Sequence, residues 1–207
     1  DLADEVRAGG LCPVREAAGV LGVVQGLAPT TSWEDLAEAS VAIQAGALWV
    51  AGNRDSTYPT ARGLVPGNGA LVAALETATG RSPVVVGKPE PELHRASLER
   101  VAARRPLVVG DRLDTDVLGA VRAGTDCLLV LTGVTTVDDL LAAPPGSRPT
   151  YVGWDLRALL APHPPVAVSG DVATCGAGRA ERVGAEVRQE GPPDLALRAA
   201  CALAWAG

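Results

Sequence analysis

The sequence predicts an α/β fold built around a parallel β-sheet. From residue 83 onward, short apolar runs alternate with helix-like segments: residues 84–86, 107–109 and 128–131 are rich in Val and Leu, and a helical pattern follows each one. The composition, 47% hydrophobic and 20% charged, is typical of a globular domain. Because strands that alternate with helices form right-handed β-α-β units, such a chain folds into a parallel sheet covered by helices.

The first eighty residues repeat this alternation with a less regular spacing. Residues 20–26 and 47–51 are apolar runs that we predict as strands. Ser32 precedes an acidic first turn and predicts a helix that ends at Gly46. Residues 53–68 are dense in turn-forming residues, so we expect a loop there, followed by a helix that ends at Gly80.

The C-terminal part carries less information. Residues 151–160 predict one last strand and helix between two proline-rich stretches. Residues 166–175 alternate like a strand, a segment of mixed charge follows, and residues 195–205 predict an apolar helix. We expect a small appended domain and assign no chemistry to it.

Charge and cysteine usage exclude several classes of function. The net charge of −6 argues against a nucleic-acid backbone or a membrane surface as the main partner, because both need clustered Lys and Arg. The four cysteines, at positions 12, 127, 175 and 201, form no C-x-x-C pair. This pattern disfavours a zinc knuckle or a disulfide framework and predicts a reducing, cytoplasmic setting.

Two charged residues mark the predicted chemistry. Lys88, the only lysine, follows the strand at 84–86, and Asp111 follows the strand at 107–109. Ligands of parallel sheets bind at the carboxyl ends of the strands, so we expect both residues at one edge. An ammonium suits a phosphate oxygen, and a carboxylate suits Mg²⁺. Asp116 could reach the metal region, whereas Asp114 is more typical of a helix cap.

These segments resemble a known family. Val-Val-Val-Gly-Lys-Pro-x-Pro, followed by Val-Val-Gly-Asp-Arg-Leu-Asp-Thr-Asp and then Leu-Val-Leu-Thr-Gly-Val, is similar to the haloacid dehalogenase (HAD) superfamily, in its p-nitrophenylphosphatase/NagD-like branch. The nearest likeness is to actinobacterial glycerol-3-phosphate phosphatases. The resemblance implies a Rossmann-like three-layer core with an inserted α/β cap. Residues 1–82 would then be the cap, 83–160 the C-terminal half of an incomplete core, and 161–207 a proline-rich linker and small extension.

The resemblance also implies roles for individual residues. Lys88 would bind the phosphate and the nucleophile, Asp111 would bind Mg²⁺, and Asp116 would support the metal site. In the cap, Asn53 and Asp55 would shape the substrate loop and Tyr58 would contact the leaving group of the substrate. For these three cap residues the alternative is a turn without any ligand, because Asn, Asp and Pro favour turns on their own.

One part of the family pattern is missing. The nucleophile belongs to an Asp-x-Asp-x-(Thr/Val) motif after the first core strand, and we expect that motif upstream of this chain. The complete protein would be a Mg²⁺-dependent hydrolase of small phosphate monoesters, with glycerol 3-phosphate as the implied substrate and an aspartyl-phosphate intermediate. Its partners would be a small phosphorylated metabolite and, through the cap, a second copy of itself.

Two alternatives to the phosphatase can be weighed, and the first of them stays open. The chain could be a non-catalytic fragment or binding module, since it lacks the nucleophile. A generic nucleotide-binding domain is disfavoured, because no G-x-G-x-x-G and no P-loop follows any strand.

Overall fold

The computed structural model describes residues 2–184 and 186–206. The chain forms two compact units, Asp1–Leu93 and His94–Gly207. Both units are mixed α/β, as the sequence predicts, and each contains a three-stranded parallel sheet.

The first unit is built on a parallel sheet with two helices packed near it. In chain order its elements are α1 (Leu2–Ala8), β1 (Gly22–Gln25), α2 (Trp33–Gln44), β2 (Leu48–Ala51), β3 (Thr57–Thr60), β4 (Gly63–Pro66), α3 (Asn68–Thr79) and β5 (Val84–Val85). Strands β1, β2 and β5 form the sheet, with β2 in the centre. Strands β3 and β4 form an antiparallel hairpin.

Helix α2 shows how local sequence sets these elements. The Ser32 hydroxyl accepts the backbone N–H of Asp35, and the Asp35 carboxylate accepts the backbone N–H of Ser32. This capping box starts the helix where the sequence predicts it. The buried core of the unit consists of Ile43, Trp49, Ala51, Val72 and Leu75.

The structure corrects one expectation for the first unit. The predicted loop at 53–68 contains the β3–β4 hairpin, whose residues are mostly exposed and so lack an apolar alternation. Strand β5 pairs with β2, and the first compact unit extends to Leu93. A short apolar run predicts a strand but does not specify which sheet the strand joins.

The second unit contains two sheets. Helix α4 (Glu92–Val101) crosses the division between the units, and the later elements are β6 (Leu107–Gly110), α5 (Leu118–Ala123), β7 (Asp126–Val130), α6 (Val137–Leu141), β8 (Tyr151–Gly153), β9 (Val166–Ser169), β10 (Val172–Cys175), β11 (Gly178–Val183), β12 (Glu186–Glu190) and α7 (Pro193–Trp205). Strands β6, β7 and β8 are parallel, and β9 to β12 form an antiparallel meander. A π-helical turn, Leu113–Val117, leads into α5.

Helix α7 contributes to two hydrophobic cores. Leu197 and Cys201 belong to the cluster that includes Leu129 of β7 and Val152 of β8. On another face, Ala199, Ala200 and Leu203 pack with the buried residues of β10 and β11. Burial raises the pKa of the Cys201 thiol to about 12. The predicted extension therefore shares a core with the parallel sheet and belongs to the same compact unit.

The extension has more strands than the sequence indicates. The strand-like stretch at 166–175 is a hairpin that turns at Gly170, where φ is +57°. The segment of mixed charge forms β11 and β12. Strand β11 begins with an alternation of buried and partly buried residues, and β12 is mostly exposed. Among the helices of residues 2–184 and 186–206, none combines the length and apolar character needed to cross a membrane.

Candidate active site

Lys88 lies directly after β5, at the carboxyl end of the first sheet. The backbone on either side is fixed by hydrogen bonds from Val86 N to Ala51 O (3.0 Å) and from Arg54 N to Lys88 O (3.0 Å). A Cβ atom at Gly87 would overlap the carbonyl oxygen of Gly52, so only glycine fits where these two backbone segments approach each other. The Lys88–Pro89 peptide bond is cis.

The Lys88 ammonium pairs with a second predicted site residue. Its Nζ lies 3.3 Å from Oδ2 of Asp55, and the side chains are 35% and 23% exposed. The structure thus brings two of the predicted substrate-binding residues into contact. Both remain partly open to solvent, so a ligand can approach the ammonium.

Asn53 shapes the loop that carries Asp55. Its Oδ1 accepts the backbone N–H of Asp55 (3.0 Å), which is the turn geometry that asparagine favours. The Asn53 carbonyl accepts from Nδ2 of Asn68 (2.8 Å), and Gly69 N donates to Asp55 O (2.8 Å). A Cβ at Gly67 would overlap the Asp55 carbonyl oxygen. The Gly-Asn-Gly sequence at 67–69 is therefore a support for the site loop that the sequence analysis did not assign.

An ion pair anchors the same loop to α3. Arg54 binds Glu76 through two hydrogen bonds of 2.7 and 3.2 Å, and this guanidinium holds the pKa of the Glu76 carboxyl below its usual range. Tyr58 lies on β3, opposite Val65, and is half exposed.

Asp111 lies directly after β6, in the second unit. The expectation that Lys88 and Asp111 share one sheet edge is wrong, because β5 pairs in the first sheet and β6 pairs in another. Its Oδ2 accepts the backbone N–H of Val134 (2.9 Å), and its carbonyl accepts the N–H of Thr135 (3.2 Å). A Cβ atom at Gly133 would overlap the Asp111 carboxylate. The loop after β7 therefore closes over this half-buried carboxylate and fixes its direction.

Asp116 holds the turn from the other side. Its Oδ2 accepts the backbone N–H groups of Asp111 and Arg112, each at 3.1 Å, and its side chain is buried. Asp114 instead binds the Arg112 guanidinium and has a side chain 59% exposed. The structure thus joins Asp111 and Asp116 in one turn and leaves Asp114 at the surface.

A known family model matches the middle of the chain. Residues 85–159 match the HAD-hydrolase-like family. The chain is 58% identical to D-glycerol 3-phosphate phosphatase of Mycobacterium tuberculosis over 159 residues, which are 76% of this chain and 45% of that protein. The chain belongs to the HAD-hydrolase-like family.

Other proteins similar to this HAD-like chain are also named phosphatases. The acid sugar phosphatase of Staphylococcus haemolyticus is 35% identical over 71% of this chain and 56% of that protein. The chain spans about half the length of these curated relatives. The p-nitrophenyl phosphatase of Archaeoglobus fulgidus has a TM-score of 0.66 at 34% identity, over 77% of this chain and 62% of that one.

One solved structure also matches the C-terminal part of the chain. Glycerol phosphate phosphatase of M. tuberculosis in complex with magnesium has a TM-score of 0.79 at 47% identity, over 100% of this chain and 63% of that one. Because this likeness covers the whole chain, it includes strands β9 to β12 and helix α7.

The carboxylates of the turn after β6 are the type of oxygen ligand that Mg²⁺ prefers. Within residues 2–184 and 186–206, no group of three or more His, Cys, Asp or Glu side chains could hold a metal on its own. Mg²⁺ commonly takes one or two protein carboxylates and completes its shell with water and substrate phosphate. Asp111 fits such a site, and Asp116, whose Oδ2 binds two amides, fits as its support.

We expect Gly133→Ala in the full-length protein to raise the Kd for Mg²⁺ about fivefold or more, since an overlap of this kind typically costs about 1–3 kcal/mol. The added methyl group would push the Asp111 carboxylate out of its position. Isothermal titration calorimetry with MgCl₂ measures the effect. Gly146→Ala is the control, because a Cβ there meets no atom within 4 Å. Unchanged Mg²⁺ affinity in Gly133→Ala would contradict the prediction.

Proposed function

We propose that the complete protein containing this chain is a Mg²⁺-dependent phosphatase of small phosphate monoesters, with glycerol 3-phosphate as its substrate. The observation that carries the proposal is the Asp111 carboxylate, held at the end of β6 by the Val134 amide. The 58% identity to a D-glycerol 3-phosphate phosphatase supports the substrate.

In this proposal Lys88 binds a phosphate oxygen of the substrate. The Asp55 carboxylate, 3.3 Å from the ammonium, orients the Lys88 side chain before the substrate arrives. Asp55 then acts by positioning Lys88, and Asn53 acts by fixing the turn around Asp55. Tyr58, exposed on the hairpin, contacts the alcohol part of the substrate.

The proposed chemistry uses an aspartate upstream of this chain. Its carboxylate oxygen attacks phosphorus and the P–O ester bond breaks. The alcohol leaves with a proton from a general acid of the upstream motif. Water then cleaves the acyl phosphate and regenerates the carboxylate. When bound, Mg²⁺ offsets the negative charge of the phosphoryl group. Asp111 would hold that metal, with Asp116 supporting the turn.

The proposal is tested by a substrate panel with the full-length protein. Phosphate release is measured for glycerol 3-phosphate, p-nitrophenyl phosphate and a hexose 6-phosphate, with and without MgCl₂. We expect the highest kcat/KM for glycerol 3-phosphate and no turnover after chelation of the metal. Preference for the aryl phosphate would contradict the substrate assignment. No turnover of any ester would contradict the phosphatase and leave the non-catalytic binding module as the explanation.

The remaining expectations stay predictions. They are dimerisation through the cap, the lack of a nucleic-acid or membrane partner, and the reducing, cytoplasmic setting.

A further inference from the structure

The last turn of α7 is bonded to α6. The indole Nε1 of Trp205 donates to the carbonyl oxygen of Leu140 at 3.1 Å. The Leu140 side chain is fully buried, and it packs in the same cluster as Leu197 and Cys201 of α7. The C-terminal helix therefore contacts α6 through one directed hydrogen bond and a shared apolar core.

Arg148 strengthens this contact from outside. Its Nη1 donates to the Trp205 carbonyl (3.1 Å), its Nε donates to the Ala143 carbonyl (3.0 Å), and its guanidinium carbon lies 5.7 Å from the centroid of the indole ring. Ala143 follows α6 closely along the chain. One guanidinium thus ties the end of α7 to the chain just beyond α6.

Helix α6 is joined directly to the loop that holds Asp111. Thr136 and Asp139 form a capping box, which fixes the start of the helix at Val137. The two residues before this cap, Val134 and Thr135, donate their amides to Asp111. A shift or tilt of α6 would therefore move two N–H groups. The Val134 N–H binds the Asp111 carboxylate, and the Thr135 N–H binds the Asp111 carbonyl.

We propose that Trp205 is a positioning residue for the metal site: through Leu140, it fixes α6 and with it the loop at 132–136 that orients Asp111. This rests on the proposed function in one respect, which is that Asp111 binds Mg²⁺. In this proposal the C-terminal extension takes part in the reaction by positioning Asp111 and not by binding the metal itself.

The test uses full-length Trp205→Phe, which keeps an aromatic ring and removes the indole N–H. In the metal-free protein, hydrogen exchange followed by mass spectrometry should show faster exchange in peptides that cover residues 132–136. In calorimetry with MgCl₂, the Kd should rise about three- to tenfold, the range expected for one lost hydrogen bond.

Arg182→Ala is the matched control. Nη2 of Arg182 donates to the Leu203 carbonyl at 2.8 Å, so this variant removes a hydrogen bond to the same helix on the side of β11. It should lower the Tm without changing the exchange of residues 132–136 or the Kd for Mg²⁺. Equal changes in both variants would show general loosening of the unit and overturn the inference.

A third variant separates this inference from the proposed function. Asp111→Asn that binds Mg²⁺ with an unchanged Kd would overturn the metal role of Asp111, whatever Trp205→Phe does. Trp205→Phe with unchanged exchange at 132–136 would overturn the positioning role, whatever Asp111→Asn does.

Discussion

Replacing Asp111 by asparagine in the full-length protein is expected to lower kcat/KM for glycerol 3-phosphate at least about a hundredfold, the scale seen for the loss of one preorganised electrostatic contact. Asparagine has nearly the same shape, and its side-chain oxygen can still accept the Val134 amide. What it lacks is the negative charge that a hard divalent cation needs. The loss should therefore appear at saturating substrate and be reduced by raising the MgCl₂ concentration.

Asp114→Asn is the control for this experiment. It removes the same charge from the same turn, but the Asp114 side chain is mostly exposed and bound to Arg112. We expect turnover within about threefold of the wild-type value, because the side-chain oxygen of the asparagine can still accept a hydrogen bond from the Arg112 guanidinium. Asp111→Asn with near wild-type turnover, or a large loss in Asp114→Asn, would remove the assignment of the metal ligand.

The turn after β6 shows how far sequence reasoning reaches. An apolar strand followed by Gly-Asp, with a second aspartate five residues later, is enough to predict Asp111 and Asp116 as a functional pair. Local spacing could not reveal Val134, which binds Asp111 from 23 positions away. The available signal was the Thr-Gly pair after β7, because adjacent parallel strands place their following loops at one edge of the sheet.

The errors in the fold have a common physical cause. The hairpin β3–β4 and strand β12 are largely exposed, and exposed strands need no apolar alternation. The strand at Val84–Val85 was recognised, but its partner β2 lies in the first unit. Pairing is decided by packing between distant segments, which the periodicity of a single segment does not encode.

Replacing Lys88 by alanine is expected to lower kcat/KM by a similar factor, at least about a hundredfold, for the same electrostatic reason. The variant also leaves the Asp55 carboxylate, 23% exposed, without the ammonium at 3.3 Å, so a negative charge would face the incoming phosphate. Substrate binding should weaken together with turnover, and KM should rise as kcat falls. Steady-state kinetics with glycerol 3-phosphate separates the two effects.

Two further variants decide whether Lys88 acts by its charge alone. Lys88→Arg keeps the positive charge but replaces a compact ammonium by a planar guanidinium, whose hydrogen-bond donors are held in a rigid fork. If the ammonium must reach both Asp55 and the phosphate, Lys88→Arg should recover KM better than kcat. Arg81→Ala, which removes an exposed cation after α3 in the same unit, should leave both constants unchanged. Near wild-type turnover in Lys88→Ala would show that the phosphate is bound elsewhere, because no other lysine in this chain could substitute for it.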